Sequence, residues 1–362
     1  MKKRITKNIH FVLFFLLGWG FLISCENTTN LSREIQVKST KFCDWEKIFK
    51  VVDVVSLQED SNCLISMVDH CLLSKDCLFI CDYKTKEIYK FSLSGDYLGR
   101  IGRKGHGSEE YTNVYDMRLT ENDSTLVVLD TRNLLFYNSN TGSLKKRIRN
   151  KSNDYERFAI QNDGCILYVP DIDGTASIIS KKAEKTRELR LRKRFPFMVD
   201  TFYKYEDSCR VISDYGDFYI DTYYSGKLHK TYSIELGEKA LPEKLHTRTY
   251  DEFEYVDSEP DYFKCITSAC ETRNTLFVRL VGPNQTYYTL FADKNNLKNI
   301  IGPSPSETGL VIIGADNNYF YALLYPDCIK SKVFTNKIIT DNKIQTKNPV
   351  LLKLLFKNEI FE

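Results

Sequence analysis

The chain has 362 residues and a formal net charge of +3, from 51 Lys and Arg against 48 Asp and Glu. This near-neutral balance argues against a nucleic-acid-binding protein built on a basic surface. Tyrosine and phenylalanine are abundant, at 23 and 22 residues, and such a bias favours strands over helices. The length suffices for a large hydrophobic core, and an all-β chain of this size can form one domain.

Residues 1–24 have the pattern of a secretory signal peptide: a basic start at Met1-Lys2-Lys3-Arg4, then an apolar run over residues 9–23. That run is shorter than the ~20 residues that a membrane-spanning helix needs. The segment from Leu22 to Cys25 resembles the bacterial lipobox, whose cysteine is lipidated and becomes the first residue after cleavage. The resemblance implies lipidation of Cys25, a membrane anchor, and a location in the cell envelope facing the periplasm. An ordinary cleaved signal peptide is the alternative.

Residues 25–45 are predicted to be a lipidated tether, because residues 26–31 are polar. Ten cysteines follow Cys25. Export permits disulfides between them, although several connectivities are open. The spacing within residues 63–81 lacks the close C-x-x-C pairs of zinc ribbons, and Cys77 and Cys81 lie in an apolar, strand-like run where cysteine acts as a small buried residue. We therefore predict no metal and no cofactor.

Short apolar runs then recur along the chain, each ending at an Asp or a turn and followed by a second strand and a hairpin. The clearest are Leu78–Asp82 and Leu126–Asp130, and further copies begin near residues 165, 209, 275 and 309. A period of about 40 to 50 residues with about four strands per unit is typical of β-propeller blades. Six such units predict an all-β, six-bladed β-propeller over residues 46–362. A β-sandwich with an additional sheet is the alternative.

Closing such a ring requires a join between the two ends of the chain, because each blade buries its faces only against its neighbours. The early apolar run Phe49–Leu57 is the predicted partner for the last blade. The sequence thus predicts that a strand from the start of the domain completes the sheet formed at its end.

Two segments resemble a known family. Residues 88–111 form a predicted hairpin that leads into the glycine-rich loop Gly102–Tyr111, and the chain ends in a strand that follows Asn348-Pro349. These features resemble the six-bladed β-propeller lipoproteins of Bacteroidetes, whose layout is similar to that of NHL-repeat proteins. The resemblance implies the propeller fold over nearly the whole chain after the signal peptide, but it does not imply an activity.

The glycine-rich loop supplies the first candidate ligand-binding residues, His106, Glu109, Glu110 and Tyr111. Its glycines permit close backbone approach to a ligand. The loop lacks the Gly-Lys-Ser/Thr ending of a P-loop, so no nucleotide is implied. The alternative is a purely structural connection between blades, in which Glu110 and Tyr111 hold turns.

A second set of candidates lies in the acidic stretch of residues 250–262, where Tyr250, Phe253 and Tyr255 alternate with carboxylates. Aromatic faces beside carboxylates suit stacking on sugars or cations, and long loops in compact folds are often functional. The alternative is a solvated loop that its aromatic residues hold against a blade edge.

The predicted function is that of a membrane-tethered binding or scaffold module for a glycan, a peptide or an envelope protein. No G-x-S-x-G elbow appears, and the histidines after the signal peptide are scattered. A calcium- or zinc-dependent enzyme of the lactonase or lyase type, acting at the central channel, is the alternative. Polar groups converging on one point of the channel would favour the enzyme, because propellers host many unrelated activities.

Overall fold

The computed structural model describes residues 32–38, 40, 45–59, 61–120, 122–131, 133–149, 155–161, 164–170, 176–182, 185–192, 200–246, 260–304, 309–325 and 346–361. The predicted signal peptide and Cys25 lie outside these residues. So do three of the candidate binding residues, Tyr250, Phe253 and Tyr255.

The described residues form six sheets, which we number as blades in chain order. Blade 1 contains β3 (Val68–Leu73), β4 (Cys77–Asp82), β5 (Ile88–Ser92) and β6 (Tyr97–Arg100). Blade 2 contains β7 (Asp116–Leu119), β8 (Thr125–Asp130), β9 (Asn133–Asn138) and β10 (Leu144–Arg149). Blade 3 contains β11 (Tyr155–Ile160), β12 (Ile166–Pro170), β13 (Ala176–Lys182) and β14 (Lys185–Arg192).

Blade 4 contains β15 (Phe202–Tyr205), β16 (Ser208–Ile212), β17 (Tyr219–Tyr224) and β18 (Lys227–Glu235), with β1 (Arg33–Gln36) added at its edge. Blade 5 contains β19 (Cys265–Glu271), β20 (Thr275–Val281), β21 (Tyr287–Asp293) and β22 (Asn299–Pro303). Blade 6 contains β23 (Leu310–Ala315), β24 (Phe320–Leu324), β25 (Val350–Phe356) and β2 (Phe49–Ser56), which follows the short helix α1 (Trp45–Ile48).

The middle strands of the blades are buried on both faces. In β4 every residue from Leu78 to Asp82 is buried, and in β8 every residue from Leu126 to Asp130 is buried. Each sheet therefore packs face to face against both of its neighbours, as sheets in layered β folds do. The runs that end at an Asp are these middle strands.

The first strands of the six blades form a closed ring. β3 contacts β7, β7 contacts β11, β11 contacts β15, β15 contacts β19, β19 contacts β23, and β23 contacts β3. A two-layer sandwich would not produce this circular order. The prediction of an all-β, six-bladed propeller is confirmed.

Ring closure is also confirmed. β2 pairs antiparallel with β25, from Phe49 opposite Phe356 to Ser56 opposite Val350. The buried Asn348 adds a second join, because its amide donates to the carbonyls of Gln58 (2.9 Å) and Cys63 (2.8 Å). The start and the end of the ring are therefore joined by strand pairing in blade 6 and by the hydrogen bonds of Asn348.

The structure corrects the extent of the predicted tether at residues 25–45. Residues 33–36 form β1, which pairs in parallel with β18 and gives blade 4 a fifth strand. Ile35 is fully buried, and the Arg33 guanidinium donates to the Lys294 carbonyl at 2.8 Å. A four-residue strand with one buried side chain cannot be distinguished from a polar linker by its hydrophobic pattern.

In blades 1 and 2, the Asp that ends the second strand accepts hydrogen bonds from the loop that leads into the blade. One Asp82 oxygen accepts from the Ser66 and Met67 amides at 2.6 and 3.1 Å, and the other accepts from the Thr85 amide at 2.8 Å. Asp130 accepts in the same way from the Thr112 amide at 3.2 Å. Backbone hydrogen bonding that holds the entry loops of blades 1 and 2 thus explains the Asp at this position in both.

None of the described cysteines forms a disulfide. Cys81 in β4 is fully buried, and burial raises the pKa of its thiol to about 12, whereas Cys77 is half-buried. Cysteine therefore serves as a small apolar residue in this strand. Across the described ranges, no helix combines the length and the apolar character needed to cross a membrane.

Candidate functional site

The glycine-rich loop Gly102–Tyr111 connects blade 1 to blade 2. Tyr111 is fully buried, and its ring meets the Tyr137 ring edge-on with centroids 6.3 Å apart. Glu110 accepts a hydrogen bond from the Gly107 amide at 2.8 Å. The Tyr137 hydroxyl donates to the Glu109 carbonyl at 2.9 Å. These contacts fold the loop against the blade 1–blade 2 core.

Close packing explains one of the loop glycines. A Cβ added to Gly105 would lie 2.0 Å from a carboxylate oxygen of Glu110, which is far inside van der Waals contact. His106 and Glu109 have exposed side chains. The structural-connection alternative accounts for Glu110 and Tyr111, and a ligand-binding role for the four loop candidates stays a prediction.

The ring of first strands encloses a central cavity of about 530 Å³. Every blade contributes to its wall, for example through Asp69, Arg118, Ile160, Lys204, Ser268 and Ile313. Successive side chains of a strand point to opposite faces, and in β3 every residue is half-buried, as expected for a strand beside an open channel. None of the four loop candidates lines this central cavity.

Several charged groups of the central cavity are paired. The Lys86 ammonium lies 2.5 Å from a carboxylate oxygen of Asp69. The Arg118 guanidinium lies 3.2 Å from Asp116, whose other oxygen accepts from the Phe158 amide at 3.0 Å. These contacts restrain both carboxylates, so each is oriented before any ligand arrives.

A buried ionic network joins blade 4 to blade 5 at the edge of the central cavity. The Glu271 carboxylate lies 2.7 Å from the Arg210 guanidinium and 2.7 Å from the Lys294 ammonium. It also accepts hydrogen bonds from the hydroxyls of Tyr203 and Tyr232, each at 3.2 Å. One carboxylate thereby satisfies four donors, three of them from blade 4.

His70 lines the central cavity, and its environment changes its proton affinity. Burial lowers the pKa of His70 below its ordinary value, and Arg157 acts in the same direction. The nearby carboxylates of Asp116, Asp69 and Asp200 oppose this shift without reversing it. The folded protein therefore holds the His70 imidazole neutral at pH values where an unfolded chain protonates it.

We expect this shift to make stability depend on pH. Because the unfolded chain binds more protons below the ordinary histidine pKa of about 6.5, the contribution of His70 is complete above that pH and is lost as the pH falls. Denaturation midpoints of the natural protein should thus drop further between about pH 7.5 and about pH 5 than those of His70→Asn. Equal drops in the two proteins would contradict the burial of a neutral imidazole.

A second cavity of about 480 Å³ adjoins the central one between blades 5 and 6. We call it the side chamber. The two cavities share five lining residues: Phe277, Arg279, Tyr287, Val311 and Ile312. The shared wall makes the side chamber an extension of the channel.

The arrangement of His, Cys, Asp and Glu side chains in the described ranges bears on where a metal ion could be held. Within those ranges, no group of three or more His, Cys, Asp or Glu side chains is placed to hold a metal ion. The cavity carboxylates at Asp69 and Glu271 instead contact lysine or arginine.

Sequence reasoning missed the cavity-lining residues. They come mostly from the first strands, which are short and mix charged with apolar residues, as in Asp116-Met117-Arg118-Leu119. The only available signal was the recurrence of a four-stranded unit, which implies a first strand before each apolar run.

Two solved structures are similar to this chain in fold. A crystal structure from Bacteroides fragilis, of a protein named as a candidate exported protein, covers 90% of this chain and 100% of that chain, with 20% sequence identity and a TM-score of 0.74. A member of the DUF4221 family from Bacteroides vulgatus covers 86% of this chain and 98% of that chain, with 10% identity and a TM-score of 0.57. At these identities the similarity shows the fold alone.

No curated protein matches the chain. A family model does match, over residues 28–357. That range contains all six blades and the closing strand. The chain therefore belongs to the family described as "Domain of unknown function (DUF4934)".

Proposed function

We propose that this protein is an exported, lipid-anchored binding protein that takes part of a glycan into the cavity at the centre of its propeller. The central cavity is the observation that carries the proposal. Its volume of about 530 Å³ lies within the roughly 300–1,000 Å³ of pockets that hold small molecules. A cavity of this size suits one or two sugar units rather than the surface of a folded protein.

The cavity wall supports a polar ligand with some apolar faces. The wall combines charged and hydroxyl groups, such as Lys204 and Ser268, with apolar residues such as Leu72 and Ile313. Sugars present hydroxyl edges and apolar faces, so both kinds of group have partners on the ligand. A short peptide is the second ligand class that a wall of polar and apolar groups admits.

The anchor is part of the same proposal. The lipobox-like segment that ends at Cys25 would place lipid immediately before a polar stretch and the propeller. Several acyl chains on one cysteine hold a protein at a membrane more firmly than a single chain does. The propeller would then present its channel close to the envelope surface, with the periplasmic side as the proposed location.

Binding by the full chain should be measured on arrays of glycans and of short peptides, with one variant that fills the channel. Ser268→Trp introduces a large side chain into the cavity wall. Asn295→Trp is the matched control, because Asn295 is an exposed turn residue of the same blade. We expect glycan binding by the natural protein and the control, and at least a tenfold loss in Ser268→Trp.

Equal binding by the two tryptophan variants would contradict a ligand site in the channel. Selective binding of peptides would replace the glycan with the second ligand class. Stoichiometric calcium or zinc in the purified protein, together with turnover of a lactone or a polysaccharide, would replace the binding proposal with the lactonase or lyase alternative.

A further inference from the structure

The wall of the side chamber contains one arginine, Arg279, that has no nearby carboxylate among the described residues. Arg279 lies in β20 and is opposite Ser268 of β19 and Thr289 of β21. Its guanidinium carbon lies 4.0 Å from the centroid of the Tyr287 ring. Among the described residues, no carboxylate forms an ion pair with it. Burial accordingly lowers the pKa of Arg279 from its ordinary value.

Other partly buried arginines of the propeller differ in this respect. Arg118 lies 3.2 Å from Asp116, Arg190 lies 2.9 Å from Asp221, and Arg210 lies 2.7 Å from Glu271. Removing a guanidinium from water is costly unless an anion compensates it. Among the described residues, the charge of Arg279 is therefore not compensated by an anion, whereas the charges of the other three arginines are.

A second unpartnered donor lines the same chamber. Trp45 is 5% exposed, and its buried indole N–H has no hydrogen-bond acceptor among the residues that the structure describes. Trp45 and Arg279 both line the side chamber. An indole nitrogen can only donate, and a buried donor without an acceptor loses the hydrogen bond it made to water. Trp45 thus adds a buried donor without an acceptor among the described residues to the wall that contains Arg279.

We propose that the side chamber is a subsite for a carboxylate on the ligand, such as that of a uronic acid unit in a glycan. This inference rests on the proposed function, because the side chamber opens from the same channel. The guanidinium fork matches a carboxylate in two parallel hydrogen bonds. The guanidinium also lies over the Tyr287 ring, which adds a cation–π contact beside the proposed carboxylate.

The charge of the chamber favours a carboxylate over a phosphate. Arg279 is the one charged side chain among the described residues that line it. A single cation balances a carboxylate, whereas a phosphate monoester carries close to two negative charges at neutral pH. The remaining wall includes the Thr289 and Ser304 hydroxyls, 2.6 Å apart, and the rings of Phe277 and Tyr287. Hydroxyls and ring faces suit a sugar that carries the acid.

The test is a titration of the full chain with D-glucuronate, D-glucose and D-glucose 6-phosphate. NMR signals of each sugar report its binding and give its dissociation constant. We expect glucuronate to bind most tightly and Arg279→Met to weaken it by about tenfold to a hundredfold, as for a lost charged hydrogen bond. The affinity for glucose should change little. Arg273→Met is the matched control, because Arg273 is exposed on the same blade and should leave both affinities unchanged.

Several outcomes would overturn the inference. Glucuronate binding that equals glucose binding, or that survives Arg279→Met, removes the carboxylate subsite, and tightest binding of the phosphate ester replaces the carboxylate with a phosphate. Glu307 is the acidic residue next in the chain after Ser304 and lies outside the described residues. Suppose that the natural protein does not bind glucuronate, and that the effects of Glu307→Gln and Arg279→Met on the free energy of unfolding are not additive. Arg279 would then be the partner of an internal ion pair rather than a ligand-binding residue.

The same titration separates this inference from the proposed function. If neutral sugars bind and Ser268→Trp abolishes their binding, the channel proposal stands even when Arg279→Met has no effect. If no sugar binds the natural protein under any condition, the proposed function fails and takes the subsite with it.

Discussion

Replacing Phe49 with alanine is expected to lower the free energy of unfolding by about 3–5 kcal/mol, the usual cost of removing a buried phenylalanine ring. Phe49 is 2% exposed and opens the closing strand β2. Its ring lies 5.3 Å from that of Phe291 in blade 5 and 5.9 Å from that of Phe320 in blade 6, measured between centroids. The substitution therefore leaves a void where the ring of blades closes.

The matched control is Val52→Ala on the same strand. Val52 is 45% exposed, so its truncation should change the free energy of unfolding by no more than about 0.5 kcal/mol. Both variants can be compared by urea denaturation, with the slope checked against that of the natural protein. Similar small effects at the two positions would mean that β2 does not close the ring.

Replacing Glu271 with alanine is expected to cost about 3–5 kcal/mol as well, for an electrostatic reason. Removing one partner of a buried ion pair leaves the other charge buried and uncompensated. The substitution would strand the Arg210 guanidinium and the Lys294 ammonium, each 2.7 Å from Glu271. Denaturation in urea at neutral pH measures the loss.

An exposed ion pair supplies the control for Glu271→Ala. Arg100 lies 3.7 Å from Glu87, and 38% of the Arg100 side chain is exposed. Solvent screens such a pair, so Arg100→Ala should cost about 0–1 kcal/mol. If Glu271→Ala cost no more than Arg100→Ala, the network between blades 4 and 5 would not be a stabilising connection.

Much of the fold could be predicted from the sequence because the middle strands are buried on both faces. Runs such as Leu78–Asp82 and Leu126–Asp130 stand out as uninterrupted apolar segments, and the Asp at the end of each holds the entry loop of its blade through its carboxylate. The closing strand Phe49–Ser56 was predictable for the same reason, since an unpaired apolar run at the start of a repeat array needs a partner at its end.

The first strands were harder to predict from pattern. β3 has the mixed sequence Val68-Asp69-His70-Cys71-Leu72-Leu73, and β7 is only four residues long. One face of each borders the channel, so charged residues are tolerated there and the apolar pattern is interrupted. β1 escaped prediction because Ile35 is its one buried residue.

The candidate site could not be assembled from sequence because its residues are brought together only by the circular order of the blades. Asp69 and Ile313 line one cavity although they lie at opposite ends of the chain. Likewise, Trp45 and Arg279 share the side chamber because ring closure carries residue 45 to blade 6. The glycine-rich loop could be singled out by its composition, and its buried tyrosine and hydrogen-bonded glutamate hold a blade connection, while its ligand-binding role stays a prediction.

The location of bound ligand in a crystal of the full chain is the most direct test of the account. The crystal should be soaked with the glycan that binds best on the array. Ligand density is expected inside the ring of first strands, in contact with Ser268 and reaching Arg279. Density confined to the outer blade edges or to the Gly102–Tyr111 loop, with the central cavity filled by water alone, would contradict it.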